Sequence, residues 1–380
     1  MKKKHVVFSL CFGLIGIMVL SVVAVYLADR YLASPLNLTQ TTTYTLEKGK
    51  TLSHLLLDLE QDQVINQRRL IEIYARFCCD TAKIHAGEYA LEPGLTPKAL
   101  LTKLLAGEVV EYPITLVEGW TFSQILAEFE RHPKLQRLIP TDNAVAAIAT
   151  EISTWASTGS SVDISKQANA SPEGQFFPDT YRYTALETDL DILKKAYQRM
   201  QAILQEEWNG RQLNSPLNSP YEALILASIV EKETGLPSDR PNIAAVFINR
   251  LNLKMRLQSD PTTIFGLGDR YDGNIRSRDL ADPSPYNTYK IARLPPTPIA
   301  LPGRESIQAV LNPPECDCLY FVARGDGSSQ FSNTLAEHNR AVNKYQRFRR
   351  KKNYQSAPVM TESQSADAGQ TSPAIQDEAQ

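Results

Sequence analysis

Residues Ser219 to Pro237 read Ser-Pro-Tyr-Glu-Ala-Leu-Ile-Leu-Ala-Ser-Ile-Val-Glu-Lys-Glu-Thr-Gly-Leu-Pro, a segment that carries both its own start and its own stop. Ser219 with Glu222 three residues on is a capping-box signature, and Pro220 takes the first helical position, where no backbone N–H is needed. Gly235 followed by Pro237 ends the run. Between them a helix of about four turns is predicted. Leu224 to Val230 are apolar nearly all round, so the helix is expected to be buried.

Two glutamates close that helix, and helical geometry separates them. At about 100° per residue, Glu233 projects within roughly 60° of Leu226, Ile229 and Val230. Glu231 points about 160° away, near Leu224 and Ser228. A carboxyl that extends an apolar stripe loses hydration when ionised, and a helix C-terminus is unfavourable for an anion, so the Glu233 pKa is expected to rise. A raised carboxyl pKa suits a general acid working near neutral pH. Wheel geometry alone equally allows a carboxylate that turns to solvent or pairs with Lys or Arg.

Further along, Ser238 to Leu251 reads as a second helix with its own Ser cap and a stripe of Ile243, Val246, Phe247 and Leu251. Gln258, Asp260 and Thr262 follow close together in a predicted loop. A further loop, Pro285-Tyr286-Asn287-Thr288-Tyr289, interleaves aromatic rings with amide and hydroxyl groups, a mixture that suits the apolar faces and polar edges of sugar rings. Turn and cap roles explain its Asn and Thr equally well. His338 is expected to be structural.

Working toward the N-terminus, a helical pattern covers 188–208, and residues 150–172, rich in Ser, Thr and Ala, read as a mobile polar insertion. A new segment starts at Ile114-Thr115-Leu116-Val117-Glu118-Gly119. Before it lies a smaller α+β unit over 44–112: a strand from Tyr44, a helix over Leu52–Leu59, a second from Val64 through Arg76, a strand over Ile84–Leu91 and a helix over Pro97–Leu105. Residues 31–43 read as a linker. The main unit runs over 113–350, ends in a basic cluster read as a solvated helix end, and precedes a tail over 354–380 expected to be disordered.

Val6 to Ala28 form an uninterrupted apolar run without a charged side chain. A bilayer core about 30 Å thick needs roughly 20 helical residues, so 6–28 is read as one transmembrane helix. Lys2, Lys3 and Lys4 precede it while Asp29 and Arg30 nearly cancel, which places residues 1–5 in the cytoplasm and the rest on the far side. A cleaved signal peptide fits less well, because its apolar region is shorter.

The composition sets limits. The 380 residues carry 40 Lys+Arg against 42 Asp+Glu, a formal net charge of −2, and nothing in that balance points to nucleic acid. Without the lysines and arginine that flank the anchor, the remainder is mildly acidic. With 43% hydrophobic and 22% charged residues the chain is neither wholly disordered nor polytopic. Cys11 lies in the apolar run. Cys78–Cys79 and Cys316–x–Cys318 lack zinc-knuckle spacing, and disulfides between the two pairs have no support in the sequence. Phosphate loop, H-E-x-x-H and G-x-S-x-G motifs are absent.

Several runs occur in one order: the N-terminal anchor, Val117-Glu118-Gly119, Phe177-Pro178-Asp179-Thr180-Tyr181, Ala227-Ser228-Ile229-Val230-Glu231-Lys232-Glu233-Thr234, Val246-Phe247-Ile248-Asn249-Arg250-Leu251, Met255 to Thr262, Tyr286-Asn287-Thr288-Tyr289 and Tyr320-Phe321-Val322-Ala323. Together they resemble the endolytic murein transglycosylase family, also called YceG-like, over roughly residues 1–350. The resemblance implies an α+β architecture: one transmembrane helix, a small LysM-like module over 44–112, and a mixed α+β catalytic domain over 113–350. It implies a bacterial inner-membrane enzyme, a lyase facing the periplasm that cuts nascent peptidoglycan glycan strands internally, with cell-wall synthases as possible partners.

The family's catalytic acid is the second glutamate of Glu-Lys-Glu, here Glu233. Such an enzyme needs no cofactor and no metal: Glu233 protonates the glycosidic oxygen between N-acetylmuramic acid and N-acetylglucosamine, then accepts the C6 hydroxyl proton as a 1,6-anhydro ring closes. Gln258, Asp260, Tyr286, Asn287 and Thr288 are the candidates for holding the sugar. A hydrolytic muramidase with Asp260 or Glu118 as second carboxylate is the rival enzyme. A non-enzymatic glycan-binding scaffold for wall assembly is the rival outside enzymology.

Overall fold

The computed structural model describes residues 2–158 and 171–348, which form two compact units. Part of the predicted polar insertion, most of the basic cluster near 350 and the tail over 354–380 lie outside the described residues.

The first unit begins with α1 (Lys2–Leu32). Within it Leu14–Leu32 is long and apolar enough to cross a membrane, and only its last residue, Leu32, is buried in the protein. Strands β1 (Thr42–Leu46) and β2 (Gly87–Leu91) pair antiparallel from Thr42↔Leu91 to Leu46↔Gly87. Helices α2 (Leu52–Gln61), α3 (Arg68–Cys78) and α4 (Pro97–Ala106) supply Leu55, Leu56, Leu59, Ile71, Leu100 and Leu104 to one core. Apolar burial of this kind is the main stabilising term for so small a unit.

The structure differs from expectation at residues 31–43, which are packed rather than free. Leu32 and Leu36 belong to the same core, and Tyr31 Oη accepts the N–H groups of Asn66 and Gln67 at 3.2 and 3.1 Å. Leu36 N–H donates to Leu95 O at 2.7 Å, and Asn37 N–H to Val64 O at 3.0 Å. Leu32 and Leu36, with Tyr31 and Leu38 packed beside them, tie down a segment that is otherwise largely polar. α3 starts at Arg68 rather than Val64, because Gln63 turns the chain with φ 60° and buries Val64 and Ile65 in the core first. Cysteine sulfurs are joined within each pair, Cys78 to Cys79 and Cys316 to Cys318, not between pairs.

The second unit is built around α8 (Pro220–Glu233), whose residues Ala223 to Val230 are all buried. Helices α7 (Asp189–Asn209), α9 (Arg240–Asn252), α10 (Asp260–Leu267) and α11 (Arg304–Leu311) pack against it. An antiparallel hairpin of β5 (Tyr320–Ala323) and β6 (Ser329–Ser332) runs from Tyr320↔Ser332 to Ala323↔Ser329, and α12 (Leu335–Val342) follows it. Earlier in the chain come β3 (Tyr112–Thr115), paired with β4 (Thr180–Tyr183), and α5 (Phe122–Glu130).

Three local expectations change. Residues expected to open a polar insertion form α6 (Ala144–Thr158), with Ile148, Ile152 and Trp155 buried along one face. Alanine, serine and threonine between those large residues hide the stripe. Ser219 caps α8 by accepting Glu222 N–H at 3.2 Å, but Glu222 turns its carboxylate to Asn218 N–H at 2.8 Å, so the box is not reciprocal. α9 has Asp239 rather than Ser238 at its cap, and that carboxylate accepts Ser329 N–H instead of a helical one.

Candidate active site

α8 ends on Glu233, and a cleft of about 470 Å³ opens there. Glu233, Arg250, Gln258, Asp260, Tyr289, Tyr320 and His338 are among its lining side chains. The Glu233 carboxyl is pushed up to about 7 from 4.5, chiefly by loss of hydration; Asp260's negative charge adds to this, while a Ser259 hydrogen bond and Arg250 oppose it. Its position on the last helical turn acts in the same upward direction.

Ser259 Oγ donates to Glu233 Oε1 at 2.5 Å. By position Ser259 is the N-cap of α10, yet its hydroxyl caps nothing there and is given over to Glu233. Its backbone is clamped: Ser259 N–H donates to Thr288 Oγ1 at 2.9 Å, and Thr262 Oγ1 donates to Ser259 O at 2.7 Å. Gln258 immediately before it holds φ 55°, a left-handed conformation that costs a non-glycine residue about 1 kcal/mol and swings the chain so that Ser259 faces Glu233.

Arg250 is 7% exposed. Its Nε donates to Leu319 O at 2.7 Å and Nη1 to Leu257 O at 2.6 Å, with the Tyr320 ring 5.2 Å from the guanidinium carbon. Next to it, Asn249 Nδ2 donates to Cys316 O at 2.6 Å, tying α9 to the strand that follows. Tyr289 Oη donates to Asp260 Oδ1 at 2.7 Å; burial and then Asp260 raise the phenol's pKa. His338 lines the cleft with its ring stacked on Tyr320 at 5.2 Å, and burial followed by Arg250 lowers its pKa, so the neutral imidazole is favoured.

Of the residues singled out for the sugar, Gln258 and Asp260 reach the cleft. Asp260 does so from the first turn of α10 rather than from a loop. Tyr286, Asn287 and Thr288 are not among the lining side chains. Tyr286 Oη pairs with Thr297 Oγ1 at 2.9 Å, and its ring lies 4.8 Å from that of Phe265. Asn287 is fully buried, donating to Asp282 O at 2.8 Å and accepting from Thr263 Oγ1 and Tyr289 N–H. Thr288, equally buried, holds Ser259. Asn287 and Thr288 are thus turned away from the cleft and brace the turn that presents Ser259, Asp260 and Tyr289, while the half-buried Tyr286 packs on Phe265 beside it. Their amide and hydroxyl groups answer buried backbone, which is the demand such groups meet inside a protein.

The two glutamates of Glu-Lys-Glu part as the helical wheel predicts. Glu231 is buried and accepts from Gly303 N–H at 2.9 Å and Ser306 Oγ at 2.7 Å, with Arg240 Nη2 at 3.4 Å. Lys232 Nζ between them donates to Gly119 O at 3.2 Å. Glu118 belongs to the Glu231 side: its carboxyl abuts Gly303, where a Cβ would leave it no room. Desolvation and then the Glu231 charge raise the Glu118 pKa.

Sequence reasoning missed Ser259, Arg250 and Glu173. Both Glu173 oxygens accept Phe122 N–H at 3.2 Å at the start of α5, and burial pushes that carboxyl up to about 7. An arginine inside the apolar stripe of α9 was a readable signal, whereas a serine before Asp-Pro looks like any helix cap.

With this geometry in view, residues 44–344 match the profile of the YceG-like family. An endolytic murein transglycosylase of Bacillus subtilis (strain 168) is 31% identical over 328 residues, covering 84% of this chain and 89% of that protein. Another from Streptococcus pneumoniae (strain ATCC BAA-255 / R6) is 26% identical over 339 residues, covering 83% of this chain and 60% of the relative. Among solved structures, a YceG-like protein from Listeria monocytogenes shares 30% identity, covers 79% of this chain and 99% of its own, and superposes with a TM-score of 0.48.

Proposed function

Since this chain belongs to the YceG-like family, we propose that it is an endolytic murein transglycosylase, a lyase that cuts peptidoglycan glycan strands with Glu233 as its acid and base. The observation that carries this reading is a single carboxyl, poised near neutrality at about 7, on the wall of a cleft and held by a buried serine. In its protonated form Glu233 gives its proton to the oxygen between N-acetylmuramic acid C1 and N-acetylglucosamine, and the C1–O bond breaks. The carboxylate left behind takes the proton of the muramic C6 hydroxyl as that oxygen bonds to C1. No water enters, one carboxyl serves both steps, and the strand ends in a 1,6-anhydro ring. Ser259 donates to Oε1, which leaves Oε2 to face the sugar. Asp260, fixed by Tyr289, stands where negative charge favours a cationic sugar carbon.

In the same reading α1 is a single-pass anchor in the bacterial inner membrane with its N-terminus cytoplasmic, the unit over 44–112 is a LysM-like glycan-binding module, and wall synthases are the neighbours such a placement implies. The rival hydrolytic muramidase would draw its second carboxylate from Asp260, since Glu118 lies against Gly303 on the Glu231 side and does not line the cleft. Mass spectrometry of digested glycan strands separates the two reactions. Anhydro-muramic ends are expected; reducing ends from the wild-type chain would reject transglycosylation.

A further inference from the structure

α3 carries two apolar faces. Ile71 and Ala75 are buried in the core of the first unit. A second stripe of Leu70, Ile73, Tyr74 and Phe77 follows the i, i+3, i+4, i+7 spacing of one helix face. Ile73 is 52% exposed and Phe77 88% exposed, more than any other described phenylalanine. A short soluble unit with a small core has every reason to bury a ring of that size, so its exposure calls for a partner.

The position of the stripe identifies that partner. At one end of α3, Asn66 and Gln67 N–H groups donate to Tyr31 Oη. About two turns further on, the Tyr74 ring lies 5.9 Å from Lys98 Nζ, which pairs with Asp29 Oδ1 at 2.5 Å. Asp29 and Tyr31 form the last turn of α1, directly after Ala28, where the apolar run stops. The residues that lead into α3 thus bond the last turn of α1 directly, and Tyr74 about 10 Å along reaches the same turn through Lys98, which keeps α3 near the foot of α1. On the helical wheel Leu70, Phe77 and Ile73 fall between Tyr74, which faces Lys98, and the exposed Arg69 and Arg76 at the other edge. Arg68 and Glu72, further round the helix beyond those arginines, are occupied with Glu60 and Ser53. Apolar residues bordered by arginines, at the level of the membrane surface, are the composition of a helix lying in a lipid interface.

We propose that the Leu70–Ile73–Phe77 face of α3 is seated in the bilayer that holds α1, with Arg69 and Arg76 against anionic lipid phosphates. The inference rests on α1 being a membrane anchor. Its consequence is that the first unit does not swing on a tether: anchor and interfacial helix together fix its height and its rotation at the membrane surface.

The test uses the full chain reconstituted in vesicles of phosphatidylethanolamine and phosphatidylglycerol. Phe77→Trp reports on α3 and Val19→Trp on the anchor, each read as the difference from the parent chain with its three native tryptophans. Phe77 is so exposed that the substitution leaves the fold intact, and Ile73→Trp is a second probe of the same face. Lipids brominated on the acyl chain are expected to quench Phe77→Trp emission. Bromine near the headgroup end should act more strongly than bromine near the terminal methyl, the pattern of a ring about 5–10 Å into the boundary. Val19→Trp should show the reverse depth preference. Quenching of Val19→Trp alone overturns the proposal and leaves the anchor standing. Loss of quenching in both overturns both readings. Emission from Phe77→Trp that ignores bromine but shifts with protein density assigns the face to a second copy of the chain and overturns the lipid assignment.

Discussion

Replacing Ser259 with alanine isolates the contact that holds Glu233. The Ser259 hydroxyl donates to Glu233 Oε1 at 2.5 Å, from a residue 1% exposed, so no water can take its place without rearrangement. A donor to a carboxylate favours its charged form, and removing it raises the pKa. A hydrogen bond to a charged group contributes about 1.5–3 kcal/mol, and one pKa unit is about 1.36 kcal/mol. Starting from about 7, the Glu233 pKa should therefore climb by about one to two units in Ser259→Ala. The assay is release of anhydro-muramic ends from soluble glycan strands across the pH range. The alkaline limb of kcat/KM reports ionisation of the acid in the free enzyme. That limb should move up in Ser259→Ala and return close to the wild-type position in Ser259→Thr, which keeps the hydroxyl. An alkaline limb that stays in place or moves down in a folded Ser259→Ala protein would refute the reasoning.

If Glu233 is the proposed acid and base, Glu233→Gln should lower cleavage by about 10²–10⁴-fold, measured on purified strands. It should also change the pH dependence of stability. The folded-state pKa is raised from 4.5 to about 7, so the folded protein binds this proton more tightly than the unfolded chain, and stability falls as pH climbs through that window. Denaturant melts should show Glu233→Gln more stable than wild type by about 1–3 kcal/mol at pH 8, with the gap closing at pH 4. Glu231→Gln should do the opposite at neutral pH, costing about 2–3 kcal/mol in the same melts, because it weakens a buried carboxylate that holds Arg240, Gly303 and Ser306. Gly174→Ala should cost about 2–4 kcal/mol of thermal stability: Gly174 sits at φ +73°, and a Cβ would come within 2.3 Å of the Pro298 Cβ.

Helix punctuation is legible in the sequence where a single local rule dominates. α8 starts and stops where Ser219, Pro220 and Gly235 say it should, because caps and breakers act within one turn. The rotation of Glu233 away from Glu231 followed from the helical repeat alone, and both carboxyls lie on the sides it assigns. Local rules failed where a distant partner competed for the same atoms. The Asp239 carboxylate, an ordinary cap by composition, accepts Ser329 N–H from ninety residues away. Residues 31–43 look like linker because their packing partners, Val64 and Leu95, are distant in sequence. α6 was obscured because three large side chains among alanines, serines and threonines give a weak periodic signal.

Legible in the sequence alone are the long N-terminal apolar helix, the buried α8 and the divergent directions of Glu231 and Glu233, since each depends on a period or a cap within a single element. Only the tertiary structure decided what surrounds Glu233. Asn287 and Thr288 have the chemistry to meet a sugar, but burial turns them inward to satisfy backbone groups. Ser259 has the chemistry of a helix cap, but the turn at Gln258 aims it at Glu233. A hydroxyl or an amide serves whichever partner the fold brings within about 3 Å, and that distance is set by packing between elements far apart in the chain.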